Sequence, residues 1–77
     1  MNKQRRNAIS KCIDELEDIK SRLEGVRDDE DDAYNNLPEG LMYSEKGDTM
    51  QEYIDDIDSE IGNLEDIISN LQDIVER

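Results

Sequence analysis

Apolar residues recur at intervals of three and four along two long segments, and one short stretch between them breaks the pattern. In the first segment Ile9, Leu16, Leu23 and Leu37 occupy one heptad column, and Cys12, Ile19, Val26 and Ala33 a second. Glu30 interrupts the first column, while Ile13 and Tyr34 widen the stripe by one more. In the second segment Met50, Ile57, Leu64 and Leu71 form one column, Tyr53, Ile67 and Ile74 another, and Ile54, Ile61, Ile68 and Val75 a third. A period near 3.5 predicts amphipathic helices over 9–37 and 49–77, with 38–48 as connector and 1–8 as a basic, frayed start to a single domain.

Pro38 and Gly40 end the first helix on this reading, because proline lacks the amide and glycine pays the largest backbone entropy. Thr49-Met50-Gln51-Glu52 has the spacing of a capping box, and Ser44 followed by Glu45 is a rival start. Gly25, within the first helix, costs about 1 kcal/mol relative to Ala and marks either a bend or a close backbone approach. Folded back antiparallel, the arms pair Leu37 with Met50, Tyr34 with Tyr53, Val26 with Ile61, Leu23 with Leu64 and Leu16 with Leu71, the position numbers adding to a constant. The expected fold is therefore all-α, an antiparallel two-helix hairpin of coiled-coil type. The third column of the second helix is wider than one seam needs, so Ile54, Ile61, Ile68 and Val75 are expected to join hairpins into a dimer, as a four-helix bundle, or a larger helical oligomer.

Composition strengthens the case for self-association. With 77 residues, 34% hydrophobic and 40% charged, the chain lies near the lower limit for folding alone. Cys12 is the single cysteine and histidine is absent, which excludes an intramolecular disulfide and a zinc site and suits a reducing cytoplasm. Cys12 falls in the apolar stripe and is expected to be buried. The basic start has no apolar stretch behind it to make a signal peptide, and no run is long enough to cross a membrane.

Charge narrows the partners. A net charge of −13, from 22 acids against 9 bases, repels nucleic acid and anionic membrane and favours a basic protein. The run Asp28-Asp29-Glu30-Asp31-Asp32 is either a solvated face or a cluster that docks a basic partner or a divalent cation. As docking residues the candidates are Asp28, Asp29, Asp31 and Asp32, with Asp55 and Asp58 on the second arm and Tyr43 in the connector. Asp56-Ile57-Asp58-Ser59-Glu60 resembles the start of a calcium loop, but Ile61 stands where that loop needs glycine and Ile67 where it needs the bidentate glutamate. No metal or cofactor is implied. Lys3, Arg5, Arg6 and Lys46 are candidate anion contacts; with Tyr43 to stack on a base, the connector of one hairpin and the basic end of another could hold an anionic signalling nucleotide. No carboxylate pair is set apart by its surroundings as an acid and a base, and no other catalytic set exists, so an enzyme is not expected.

The connector carries one resemblance. Asn35-Asn36-Leu37-Pro38-Glu39-Gly40-Leu41, then Ser44-Glu45-Lys46-Gly47 and Met50-Gln51-Glu52, are similar to a group of small acidic helical proteins encoded by phages and mobile elements of Gram-positive bacteria, over about residues 30–70. What the resemblance implies is a phage protein acting in the host cytoplasm without catalysis, binding and inhibiting a host defence protein. Carboxylates standing in for nucleic-acid phosphates are one way to do so. A nucleotide binder and a structural or assembly module are the alternatives.

Overall fold

The computed structural model describes all 77 residues and contains three helices: α1 over Lys3–Asn35, α2 over Glu39–Met42 and α3 over Glu45–Glu76. The long helices α1 and α3 pack along each other in a rod with extents of 59 × 15 × 11 Å, and α2 packs on the start of α3. Arg6 Nη2 donates to the Arg77 carbonyl at 3.2 Å, so both chain ends meet at the end opposite the connector, as an antiparallel hairpin requires.

The helices are longer than their apolar stripes. α1 begins at Lys3 rather than at Ile9, because the Asn2 side chain accepts from the Arg5 amide at 2.9 Å and caps it. It stops at Asn35, ahead of Leu37. α3 begins at Glu45 rather than Thr49: Ser44 holds the extended backbone of an N-cap, Glu45 and Asp48 put negative charge in the first turn, and Thr49 lies inside the helix. The Ser44 hydroxyl turns back and donates to the Leu41 carbonyl at 2.6 Å, tying α3 to the connector instead of capping its amides. Gly25 has open space around it and α1 runs through it unbroken, so it serves no close approach. That role belongs to Gly47, which is buried against the Leu41 and Met42 carbonyls.

The core is thin and its side differs from the expected one. Ile13, Ile61 and Ile68 are the buried side chains, at 8%, 3% and 4% exposure. The half-buried residues around them place the α1 seam on the column of Ile9, Leu16, Leu23, Glu30 and Leu37 and on that of Ile13, Lys20, Arg27 and Tyr34. On α3 the seam comprises Met50, Ile57, Leu64 and Leu71 together with Ile54, Ile61, Ile68 and Val75. The last four therefore belong to the hairpin itself and are not free as a seam between hairpins. The second column expected on each arm points outward instead: Cys12 and Ala33 are exposed, as are Ile19, Val26, Tyr53 and Ile67, with Val26 at 53% and Tyr53 at 57%. Val26 and Tyr53 are thus not seam residues. Four large aliphatic side chains in one α3 column outweigh Tyr53, Ile67 and Ile74 interrupted by Glu60. Lys20 and Arg27 tolerate the matching roll of α1 because their stems can cover apolar surface while their heads reach water and acids.

A Cβ on Gly47 would stand 2.9 Å from the Leu41 carbonyl oxygen and closer still to the Met42 carbonyl, and backbone cannot give way as a flexible side chain can. Gly47→Ala should cost at least about 2 kcal/mol, lowering the thermal midpoint by roughly 10 °C as read by circular dichroism. The equally helical Gly25→Ala should be neutral or stabilising.

Candidate functional site

One side of the hairpin is a carboxylate face, and its geometry follows from the roll just described. On α1 the column beside the seam is Ser10, Glu17, Glu24 and Asp31; on α3 it is Gln51, Asp58, Glu65 and Gln72. Two shallow grooves show that these columns flank the same side. One is lined by Ser10, Ile13, Asp14, Gln72, Val75 and Glu76, the other by Arg27, Asp28, Asp31, Ile54, Asp55 and Asp58.

The second groove gathers four of the acids singled out in the sequence, Asp28, Asp31, Asp55 and Asp58, from two helices around one guanidinium. Arg27 Nη1 donates to Asp58 at 2.7 Å across the hairpin, and its Nε and Nη2 donate to Asp28 at 3.3 Å. The Asp58 hydrogen bond holds the Arg27 pKa above its ordinary value; partial desolvation opposes this and Asp28 reinforces it. Arg27 is charged at any working pH and leaves the groove with a surplus of negative charge. Lower on the same face Lys20 meets Glu17 at 3.5 Å and Glu65 at 3.9 Å. Both cross-helix pairs fit an antiparallel arrangement, and both are exposed enough that solvent screening leaves them little weight in stability.

The remaining candidates separate. Asp29 and Asp32 stand on other sides of α1 and do not line the groove. Tyr43, 80% exposed, and Lys46 sit at the connector end, whereas Lys3, Arg5 and Arg6 lie at the opposite end of the 59 Å rod. One protomer cannot bring them to one anion, and Arg6 is engaged with the end of α3, its Nε buried without a partner. Leu37 and Met42 are half-buried at the connector end, while Leu41 stays 41% exposed. No sequence motif marks Glu17, Glu24, Glu65, Lys20 and Arg27; the signal that finds them is position, in the seam column for the two cations and in the columns flanking it for the three acids. No three acid or thiol side chains converge closely enough to hold a metal ion. No helix is long and apolar enough to cross a membrane.

Compared with known proteins, the chain matches no family model, no curated protein and no solved structure. The chain is an all-helical hairpin with one face rich in carboxylates.

Arg27→Met keeps the stem over the seam and removes the charge, leaving Asp28, Asp31, Asp55 and Asp58 to repel one another. The thermal midpoint should fall at low ionic strength and largely recover in about 1 M salt, where the screening length is about 3 Å. A deficit that salt does not reduce would show that the guanidinium acts through packing.

Proposed function

We propose that this protein is a non-enzymatic interaction module that presents its carboxylate face to a basic partner protein, with the hairpins assembled as a dimer or larger helical bundle. The observation that carries the proposal is the convergence of Asp28, Asp31, Asp55 and Asp58 from two helices into one groove with a single cation. Folding does not need this concentration of like charge. Each carboxylate there opposes its neighbours, and only Asp28 and Asp58 are paired with Arg27.

The rod also supports a choice of what is imitated. Its −13 charge over 59 Å amounts to about one net charge per 4.5 Å. A single nucleic-acid strand carries about one per 3.4 Å and a duplex about one per 1.7 Å of axis. The narrow hairpin approaches the charge spacing of a single strand, so a protein surface that binds single strands is the best-matched target. The setting implied by the connector, a phage protein that blocks a host defence protein in the cytoplasm, is the finer form of this proposal.

The test is capture of partners from host lysate by the protein, with competition. Partners should be released by moderate salt and by a single-stranded oligonucleotide, since the same basic surface would hold both. The quadruple variant D28N/D31N/D55N/D58N should bind the captured partner at least tenfold more weakly, each lost contact contributing roughly 0.3–1 kcal/mol. Binding that survives both the variant and high salt would exclude the carboxylate face as the contact.

A further inference from the structure

The side of the hairpin opposite the carboxylate face is the one place where apolar side chains remain uncovered in a row. Because one groove face is shared by the columns of Asp31 and Asp58, the columns on the far side of each seam also share a face. These are Cys12, Ile19, Val26 and Ala33 on α1, and Tyr53, Ile67 and Ile74 on α3. Ile19, Val26, Tyr53 and Ile67 are all exposed there, at 38%, 53%, 57% and 47%.

Charge distinguishes this side from the rest of the rod. In these two columns and the ones bordering them stand the acids Glu15, Asp29, Glu30, Asp56 and Glu60, answered by the bases Arg5, Arg22, Lys46 and Arg77. The face thus holds about one net negative charge of a total of −13. A two-fold contact sets a patch against itself, so any charge on the patch is repelled by its own copy. Two molecules this acidic can meet closely only where net charge is near zero, and this is that place.

Size agrees. A face of 59 by 15 Å outlines about 900 Å² per copy, or roughly 1,800 Å² for two, room enough for the 1,200–2,000 Å² that specific protein contacts bury. The thin core, with three buried side chains, leaves the hairpin in need of such cover.

We propose that a second copy of this chain covers the face of Cys12, Ile19, Val26, Tyr53 and Ile67, forming a four-helix bundle whose two carboxylate faces point outward. This rests on the reading above that the hairpins self-associate, and it names the surface. The bundle then has an apolar interior built from two thin seams and one shared layer, and the acidic grooves stay open on both sides to partners. The two activities of the surface are segregated by helix column: one face for the chain itself, the other for something basic.

Light scattering on the unmodified protein and on Val26→Glu/Ile67→Glu tests the proposal, with Cys12 as a built-in reporter. The protein should run at twice its 8.9 kDa mass at micromolar concentration, and the variant should be a helical monomer. Reaction of Cys12 with a soluble thiol reagent should slow at least tenfold as the protein is concentrated, and should not slow in the variant. A dimer that survives the variant with Cys12 freely reactive would move the seam elsewhere and overturn the assignment while leaving self-association intact. A helical monomer with freely reactive Cys12 in the unmodified protein would overturn both. The thiol rate needs no substitution, so the assignment stays testable if the variant does not fold.

Discussion

Ile61 and Ile68, pressed between the two long helices, set the roll of α3, and the surface of the whole molecule follows from that roll. In a two-helix rod there is no third layer to share the burial, so only two columns per helix can leave water. Choosing the column of Ile54, Ile61, Ile68 and Val75 puts Tyr53 and Ile67 outside. On α1 the matching choice brings Lys20 and Arg27 to the seam edge and leaves Cys12, Ile19 and Val26 in water. The seam itself is then partly built from charged side chains, whose stems cover apolar surface and whose heads pair with Asp58 and Glu65 on the other helix. Those pairs contribute little to stability as exposed ion pairs, but they match one side of the hairpin, since Asp58 and Glu65 stand where Arg27 and Lys20 reach.

The same roll sorts the charge. Acids crowd the side where the grooves lie, with Lys20 and Arg27 as internal counterions, and the opposite side is nearly neutral and apolar. Electrostatics and hydrophobicity thereby point to different faces for different contacts. An acidic rod suits a basic partner, whose approach it would accelerate by steering. A neutral stripe suits contact with an identical chain, which an acidic face would repel.

The connector fixes the hairpin at its closed end by backbone contact more than by side chains. Gly47 lets the start of α3 lie directly on the Leu41 and Met42 carbonyls, the Ser44 hydroxyl reaches back to Leu41, and the short helix α2 takes up the chain reversal. Such closeness leaves Tyr43 outside, where its ring contributes nothing visible to packing.

The two helices, the reversal between them and the antiparallel pairing are written in the sequence, because a 3.5-residue period and a lone proline are local signals that survive any tertiary arrangement. Written there too are the excess of acid and the run that supplies Asp28 and Asp31. The sequence could not decide which neighbouring column joined the main seam. Cys12, Ile19 and Val26 are more apolar than Lys20 and Arg27, and a reading column by column puts the wrong side inward. Only the pairing of both helices weighs the α3 isoleucines against the α1 residues and counts the acids waiting across the groove for Lys20 and Arg27. The start of α1 was hidden for a related reason, since Asn2 acts through a single hydrogen bond that hydrophobic periodicity does not record, whereas Ser44, one of two starts open for α3, is the one the fold uses. The acids of the groove were legible one by one, but their convergence, and the separation of Asp29 and Asp32 from them, is a consequence of the roll and belongs to the tertiary structure alone.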